Sequence, residues 1–411
     1  MNLRIFPPDN IIEASVDLPL SKSMSARALI INKIGNFNND IKTSECEDTL
    51  ALKDGLSISE GSVNVGASGT AMRFLTALYA ATENTDVIID GNERMRQRPI
   101  KILVEALREL GANIEYCDKE GFAPLHIRGQ KLNGGLLTVD TTVSSQFVSA
   151  LMMIAPLMKS PLSICFESEP TSLSYIKLTG AMMTEAGVEP EIMHCRIDVP
   201  NNDFVHPITA IERDWSAASY WYSISALSAG WVTLNDMHSS SPQGDSIMIK
   251  LGERLGVITS ESEDIDGALE LSASPEQFSR LDIDLSSTPD LTQTLAIASA
   301  ALGIPFKFQG IHTLRHKETN RIEALRSEAL KLGLIFETDG DDIIQWDGRR
   351  VPIQEVPRIK THGDHRMAMS FAPVALYLPG IIIEDVEVVS KSYPEFRTHL
   401  EEAGFTLSEE N

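Results

Sequence analysis

Helices that end at a glycine recur along this chain at nearly constant spacing. In the five clearest copies, the glycine follows an amphipathic run and precedes residues that alternate between apolar and polar: Gly111, Gly187, Gly256, Gly333 and Gly404. Glycine supplies the left-handed residue that ends a helix, and the alternation after it is typical of a strand. Because successive copies are 69 to 77 residues apart, we infer an internal repeat.

A weaker sixth copy, TLALKDGLSIS, contains Gly55 and lies closer to its neighbour than the others do. We interpret it as a repeat that has lost a pair of strands. Six repeats divide into two lobes of three, with a boundary expected at Pro207–Asp214. A repeat of this length holds about two helices and three or four strands, which predicts an α/β or α+β fold.

Composition limits the function classes. The chain has 411 residues and a formal net charge of −23, so a nucleic-acid partner is not expected. Its four cysteines form no CxxC pair, which argues against structural zinc and a disulfide framework. The N-terminus does not have the pattern of a signal peptide, and no apolar run is long enough to span a bilayer. We therefore expect a cytoplasmic protein without a membrane partner.

The stretch Leu18–Ile30 (LPLSKSMSARALI) places two cations at the start of a helix. Ser23 or Ser25 is the expected N-cap, with Lys22 just before the helix and Arg27 near its first turn. Cations at this end oppose the helix dipole at a cost of about 0.3–1 kcal/mol each. A bound anion would explain them, although this stretch taken alone is more typical of a solvated Lys and Arg on an ordinary helix.

Three further stretches of the first lobe have the same character. Gly66–Arg73 (GASGTAMR) resembles a phosphate loop around Gly69 but lacks the P-loop pattern, so ATP is not implied. Asn92–Ile100 contains three arginines, including Arg98, and guanidinium groups suit carboxylate or phosphate. Val139–Leu151 offers neutral donors at a helix start, Ser144, Ser145 and Gln146. A glycine turn, a solvated surface and plain capping are the respective ordinary interpretations.

The second lobe contributes charged helix starts as well. The candidates are Asp290 before a long apolar helix, Lys317, Glu318 and Arg321 in HKETNRIEALR, Arg366 in THGDHRMAM, and Lys391 in VVSKSYPEF. Charge that leads into a buried helix is costly unless it is paired or binds a ligand. A metal site at His362, Asp364 and His365 is disfavoured, since the adjacent Arg366 would repel a cation.

Ten collinear motifs, from about residue 18 to residue 398, resemble the 5-enolpyruvylshikimate-3-phosphate synthase family of enolpyruvyl transferases. They are LPLSKSMSARALI, GASGTAMR, ERMRQRPI, VDTTVSSQF, IERDWSAASY, PQGD, TPDLTQTLA, HKETNRIEAL, GDHRMAM and SKSYPEF. The resemblance implies two lobes of three βαβαββ repeats, an inside-out α/β barrel, with one repeat of the first lobe shortened. It implies a first lobe over residues 18–212, a second lobe over residues 1–17 plus 213–411, and an active-site cleft between them.

The resemblance also implies a reaction. The enolpyruvyl group of phosphoenolpyruvate passes to the 5-hydroxyl of shikimate 3-phosphate by addition and elimination, on the route to chorismate and the aromatic amino acids. In the family's pattern, Asp290 takes the hydroxyl proton, Glu318 serves the methylene carbon and Lys22 shares in proton transfer. No metal or other cofactor is implied, and the protein is expected to be a monomer.

The resemblance to the family also implies which residues contact each substrate. Shikimate 3-phosphate is expected at Ser23, Arg27, Ser144, Ser145, Ser172, Tyr175, Asp290 and Lys317. Phosphoenolpyruvate is expected at Lys22, Gly69, Arg98, Gln146, Arg321, Arg366 and Lys391. Two positions depart from the family's pattern: Ala67 and Thr313 stand where asparagine is usual.

Three alternative functions are less well supported by the sequence. UDP-N-acetylglucosamine enolpyruvyl transferase resembles this fold, but it carries a cysteine in the loop that corresponds to ERMRQRPI, and this chain has none between Cys46 and Cys117. A non-catalytic sensor of phosphorylated metabolites would keep the cations without needing Asp290 and Glu318. A phosphate-loop kinase would require the absent P-loop motif.

Overall fold

The computed structural model describes residues 1–140, 144–166, 170–274, 276 and 278–410. Its helices are α1 (Lys22–Ile34), α2 (Glu47–Leu56), α3 (Gly69–Ala81), α4 (Lys101–Glu109), α5 (Ser145–Ile154), α6 (Leu173–Glu185), α7 (Trp215–Leu227), α8 (Met248–Arg254), α9 (Thr292–Ala301), α10 (Arg321–Lys331), α11 (His365–Phe371) and α12 (Phe396–Glu402).

The strands of the first half are β1 (Asn2–Phe6), β2 (Ile12–Val16), β3 (Glu60–Asn64), β4 (Asp86–Asp90), β5 (Asn113–Tyr116), β6 (Leu125–Arg128), β7 (Gly135–Val139), β8 (Leu162–Phe166), β9 (Glu191–Ile192) and β10 (Arg196–Val199). Those of the second half are β11 (Gly230–Leu234), β12 (Val257–Glu261), β13 (Leu269–Ala273), β14 (Leu281–Asp284), β15 (Phe306–Gln309), β16 (Glu337–Asp339), β17 (Ile343–Trp346), β18 (Arg358–Ile359), β19 (Ile381–Ile383) and β20 (Thr406–Glu410).

The chain forms two compact units. One is the continuous segment Leu20–Ile211, and the other combines Met1–Pro19 with Glu212–Asn411. The apolar core of the first unit draws on residues from Met24 to Ile211. The core of the second draws on residues Leu3 to Leu18 and Trp215 to Phe405. Each unit therefore buries its own apolar surface.

All the sheets share one topology. The continuous unit contains the sheets β3-β4-β6-β5 and β7-β8-β10-β9, and the other unit contains β12-β13-β11-β2, β14-β15-β17-β16 and β18-β19-β1-β20. In β3-β4-β6-β5, for example, β3 and β4 are parallel with α3 connecting them, whereas β6 is antiparallel to both β4 and β5. This is the βαβαββ unit, and the expected α/β class is confirmed. No closed barrel is formed by the strands in the described ranges.

The N-terminal strands complete two sheets of the discontinuous unit. Strand β2 pairs in parallel with β11, and β1 lies between β19 and β20 as an antiparallel partner of both. These pairings are the physical reason that residues 1–19 belong with the C-terminal half of the chain.

The first repeat departs from the expectation. Helices α1 and α2 follow one another without any strand of the five sheets. The structure therefore corrects the expected loss of one strand pair, because this repeat contributes no sheet at all among the described residues. Its two helices pack into the core of the continuous unit instead.

The five repeat glycines end their helices as predicted. Each has a positive φ, from 74° at Gly333 to 98° at Gly111, which a residue with a Cβ atom adopts only at a cost. Gly55 differs, because it lies inside α2 rather than after it. A Cβ atom there would lie 2.3 Å from Leu75 Cδ1, so this glycine allows α2 to approach α3 closely.

No helix in the described part of the chain is long and apolar enough to cross a membrane.

Candidate active site

A buried guanidinium joins three carboxylates in the discontinuous unit. Arg321, 2% exposed, is the first residue of α10. Its Nη1 donates to Asp290 Oδ1 (2.8 Å), and its Nη2 donates to Glu318 Oε2 (2.9 Å). It also donates two hydrogen bonds to Asp364, from Nε to Oδ2 (2.6 Å) and from Nη2 to Oδ1 (3.2 Å). The two proposed acid–base residues thus share one cation.

Asp290 is surrounded by positive charge. Lys317 Nζ lies 3.3 Å from its Oδ1, and Arg366 Nη2 lies 3.1 Å from its Oδ2. Burial alone would raise the pKa of Asp290, but Arg366, Lys317 and Arg321 together hold that pKa well below its ordinary value. Burial lowers the pKa of Lys317, and the charge of Asp290 partly offsets that effect. Asp290 is therefore ionised at neutral pH.

Glu318 has a second cation beside Arg321. Lys391 Nζ, buried at the end of the turn Val386–Lys391, donates to Glu318 Oε1 at 3.1 Å. The six residues predicted in the second lobe, Asp290, Lys317, Glu318, Arg321, Arg366 and Lys391, therefore form one network. Four cations gathered in an acidic chain create a place where anionic groups are favoured.

Local sequence explains why these side chains converge. Asp290 lies in the 3-10 turn Pro289–Leu291 that leads into α9. Asn320 caps α10 through a bond from the Glu323 backbone N–H, so Arg321 lies in the first turn. Asp364 caps α11 by accepting from the Arg366 backbone N–H (2.9 Å). Each charged group is thus fixed at a helix start.

Sequence reasoning missed two members of this network. Ser216 Oγ accepts from Arg366 Nη2 at 3.3 Å and donates to Asp245. Burial raises the pKa of Asp245 to about 6, although Arg366 and the Ser216 hydroxyl act in the opposite direction. Ser216 lies in the motif IERDWSAASY and Asp245 in the motif PQGD. The family resemblance therefore included both segments, but it assigned no role to either residue. Asp364, a candidate metal ligand in the sequence analysis, binds Arg321.

In the continuous unit, Arg27 is buried among protein acceptors. Its Nε donates to Thr179 Oγ1 (2.7 Å), and its Nη2 donates to Ser149 Oγ and the Tyr175 carbonyl oxygen (both 3.2 Å). Its Nη1 donates to the Ser23 carbonyl oxygen at 2.8 Å. Burial lowers the pKa of Arg27 to about 10, with Tyr175 acting in the opposite direction. Three predicted residues, Ser23, Arg27 and Tyr175, thus lie together.

Lys22 is the first residue of α1 rather than the residue before the helix. Ser21 is the N-cap, accepting from the Met24 backbone N–H, so the predicted caps Ser23 and Ser25 are wrong by two and four residues. Lys22 Nζ donates to Asp48 Oδ2 at 3.0 Å, at the start of α2. This carboxylate offsets part of the dipole cost that the sequence suggested.

Gly69 opens α3 against two guanidinium groups. A Cβ atom at Gly69 would lie 2.6 Å from Arg73 Nη1 and 2.7 Å from Arg98 Nη1. Arg73 Nη1 donates to the Gly69 carbonyl oxygen (3.0 Å) and to Gln146 Oε1 (2.9 Å), while Gln146 Nε2 donates to Thr70 Oγ1 (3.1 Å). Gly69 therefore lies next to Arg98, and Arg73 links Gly69 to Gln146.

The neighbouring arginines behave differently from Arg98. Arg96 is exposed and pairs with Asp90, and Arg94 bonds to Gln97. Of the three arginines in this stretch, Arg98 is the one buried beside Gly69. The solvated interpretation therefore applies to the other two.

The predicted serines lie at helix starts. Ser144 caps α5 by accepting from the Gln146 backbone N–H, and Ser145 is buried next to it. Ser172 precedes α6 in a left-handed conformation (φ 56°), and its carbonyl oxygen accepts from Tyr175 N. Within the stretch Val139–Leu151, the residues Thr141–Val143 lie outside the described part of the chain.

The metal site considered from the sequence has other partners. His362 Nε2 lies 2.9 Å from Glu328 Oε1, and Asp364 binds Arg321. In the described ranges, no group of three or more His, Cys, Asp and Glu side chains could hold a metal ion.

A family model described as EPSP synthase (3-phosphoshikimate 1-carboxyvinyltransferase) matches residues 52–400. This chain belongs to the EPSP synthase family. The 3-phosphoshikimate 1-carboxyvinyltransferase of Bacteroides fragilis (strain YCH46) is 44% identical over 410 residues, with 96% of each chain covered. That of Haemophilus influenzae is 32% identical over 426 residues, with 96% of this chain and 97% of the relative covered.

Solved structures agree on the fold. An EPSP synthase from Acinetobacter baumannii covers 99% of this chain with a TM-score of 0.75 at 21% identity. Membership in the EPSP synthase family confirms the expected enzyme class, a carboxyvinyl transferase of the shikimate pathway.

Proposed function

We propose that this chain transfers the enolpyruvyl group of phosphoenolpyruvate to the 5-hydroxyl of shikimate 3-phosphate and releases phosphate, with the residues described above in defined roles. The observation that carries the proposal is the contact of Asp290 and Glu318 with one buried guanidinium, Arg321, inside a group of cations. Two carboxylates with different surroundings suit a reaction that needs both a base and an acid.

Asp290 acts as the base in this proposal. It is ionised because its three cationic neighbours, against the effect of burial, lower its pKa. An anionic substrate that pairs with Arg366 and Lys317 would weaken their hold on Asp290 and raise its basicity. The 5-hydroxyl then gives its proton to Asp290 as its oxygen bonds to the substituted carbon of phosphoenolpyruvate.

Glu318 serves the methylene carbon. In its protonated form it gives its proton to that carbon as the tetrahedral intermediate forms, and it takes a proton back from the same carbon as phosphate leaves, which regenerates the double bond. The proton that Asp290 took from the hydroxyl passes to the leaving phosphate, so both carboxyl groups return to their starting states. Lys391 and Arg321 fix both carboxyl oxygens of Glu318. Lys22 shares in proton transfer from the start of α1.

The substrate contacts follow the two sets expected from the family. We assign shikimate 3-phosphate to Ser23, Arg27, Ser144, Ser145, Ser172, Tyr175, Asp290 and Lys317. We assign phosphoenolpyruvate to Lys22, Gly69, Arg98, Gln146, Arg321, Arg366 and Lys391. The buried cations in these sets are the chemical basis for holding phosphate and carboxylate groups.

The test of the function is phosphate release measured with both substrates and with each alone. We expect release only when phosphoenolpyruvate and shikimate 3-phosphate are both present. Binding of both without any release would contradict catalysis and favour a metabolite sensor.

Glu318→Gln tests the assigned chemistry. We expect this variant to bind both substrates and to lose at least about 100-fold in kcat, because the amide cannot exchange a proton with carbon. Glu323→Gln is the matched control, since Glu323 is exposed and pairs with Arg326. Unchanged turnover in Glu318→Gln would remove Glu318 from the mechanism.

We further propose that the enzyme works in the cytoplasm as a monomer without nucleic-acid partners. The four cysteines are free, which suits a reducing compartment. The net charge of −23 opposes binding to polyanions. Light scattering coupled to gel filtration should give a mass near 45.1 kDa, and a value twice as large would contradict the monomer.

A further inference from the structure

Helix α10 buries two charged side chains on one face. Arg321 and Glu328 are seven residues apart, which is about two helical turns, so they project in the same direction. Both are 2% exposed. Arg321 belongs to the candidate active site, whereas the proposed function gives Glu328 no role. A fully buried carboxylate is costly unless its oxygens are paired, so its partners are informative.

Glu328 accepts from three donors. Its Oε2 accepts from Lys331 Nζ at 2.6 Å and from the Lys360 backbone N–H at 2.9 Å. Its Oε1 lies 2.9 Å from His362 Nε2. Two of the three donors, Lys360 and His362, come from the segment that leads into α11 rather than from α10 itself.

This segment contacts α10 at every second residue. The Arg358 carbonyl oxygen accepts from Lys331 Nζ at 2.8 Å, and Asp364 binds Arg321 at 2.6 Å. Together with the contacts of Glu328 to Lys360 and His362, these bonds connect α10 to residues 358, 360, 362 and 364. Arg321, Glu328 and Lys331 of α10 thus hold residues 358–364 through hydrogen bonds and ion pairs. We call this set of contacts the clamp.

The clamped segment has a backbone that needs support. His362 adopts φ 54° and Gly363 φ 69°, so two consecutive residues are left-handed. A non-glycine residue in this region stores strain that the surroundings must offset. The turn delivers the chain to Asp364 and, two residues later, to Arg366, whose guanidinium donates to Asp290.

We propose that Glu328 is a positioning residue of the active site: by fixing Lys360 and His362 on α10, it sets where Asp364 and Arg366 meet Arg321 and Asp290. Its hydrogen bonds go to Lys331, Lys360 and His362, which are not among the proposed substrate contacts, so it acts through the turn at residues 360–364. This inference rests on the proposed function, because Arg321 and Arg366 are assigned there to phosphoenolpyruvate.

Glu328→Gln is the direct test, with Glu323→Gln on the exposed face of α10 as its control. The amide keeps the shape of the side chain but turns an NH2 group toward a donor. We expect the KM for phosphoenolpyruvate to rise about tenfold and the KM for shikimate 3-phosphate to stay within about twofold. A purely structural role would lower the amount of folded enzyme without this split. Equal changes in both KM values, or none, would overturn the proposal.

His362→Asn keeps the inference testable if Glu328→Gln does not fold. Asparagine tolerates the left-handed conformation but lacks the ring that reaches Glu328. The same rise in the KM for phosphoenolpyruvate is expected, and a normal KM would count against the clamp.

A binding measurement distinguishes failure of the clamp from failure of the proposed function. If the wild-type enzyme released no phosphate, calorimetric titration with phosphoenolpyruvate would compare wild type with Glu328→Gln directly. A tenfold weaker affinity in the variant would support the clamp, and equal affinities would refute it.

Discussion

Two carboxylates near the same guanidinium show how environment divides chemical roles. Arg366 contacts Asp290 directly and reaches Asp245 through Ser216. Three cations keep the pKa of Asp290 well below its ordinary value, whereas burial raises the pKa of Asp245 to about 6. At neutral pH the network therefore contains a firmly ionised carboxylate and another that is close to its titration range.

Asp245→Asn should change how stability depends on pH. Asp245 has a higher pKa in the folded state than in the unfolded chain, so the folded state binds the proton more readily. The wild type should therefore lose about 3 kcal/mol relative to the variant as the pH rises from about 4 to above about 6. Urea denaturation at several pH values measures this difference. Asp282→Asn, at an exposed pair, is the control, and a pH-independent difference for Asp245→Asn would contradict the shift.

Gly69→Ala should weaken phosphoenolpyruvate binding without unfolding the protein. The new methyl group would displace the guanidinium ends of Arg73 and Arg98, which are flexible. We expect the KM for phosphoenolpyruvate to rise about tenfold, which corresponds to about 1.4 kcal/mol. Steady-state kinetics with each substrate varied in turn measures this. A larger effect on the KM for shikimate 3-phosphate would argue against the assignment of Gly69 and Arg98.

At the scale of the elements, helix ends do most of the positioning. Asn320 and Asp364 cap α10 and α11, and these caps hold Arg321 and Arg366 in first turns. The repeat glycines follow the C-terminal ends of their helices, and their left-handed conformation lets the chain turn toward the next strand. The glycine pattern was readable in the sequence because only glycine adopts a left-handed backbone at little cost.

Gly111→Ala should destabilise the continuous unit by about 1–2 kcal/mol, the cost of forcing an alanine into a left-handed backbone. Its φ is 98°, and a Cβ atom would lie 3.2 Å from Asn133 Nδ2. Chemical denaturation compares it with the exposed neighbour Asn113→Ala as control. A stability equal to that of the wild type would mean that the helix end relaxes to another conformation.

At the scale of the whole molecule, two cores with the same repeat topology divide the chain. The N-terminal strands belong to the discontinuous unit through the pairing of β1 with β19 and β20. Strand β1 is therefore an interior strand, although it begins the sequence. Its loss would leave β20 without a strand partner and β19 paired only with the two-residue strand β18.

Deletion of residues 1–8 should unfold the sheet β18-β19-β1-β20. We expect hydrogen exchange to lose protection in β19 and β20, while amides in β3 and β4 of the continuous unit keep theirs. Deletion of residues 406–411 is the matched control, since β20 is an edge strand whose loss leaves the rest of the sheet paired. Full protection of β19 after the first deletion would contradict the role of β1.

The sequence by itself determined the repeat, the α/β class and the family, because glycine conformation, hydrophobic periodicity and collinear motifs are local properties. It also placed charges at the correct helix starts. Which cation meets which carboxylate was decided only by tertiary structure, as Arg321 shows by binding residues 31 and 43 positions away.

The missing sheet of the first repeat, the internal position of Gly55 and the support that Glu328 gives to the turn at residues 360–364 were likewise tertiary outcomes. Each depends on which distant segment packs alongside, and packing partners are fixed by the fold as a whole rather than by the residues on either side.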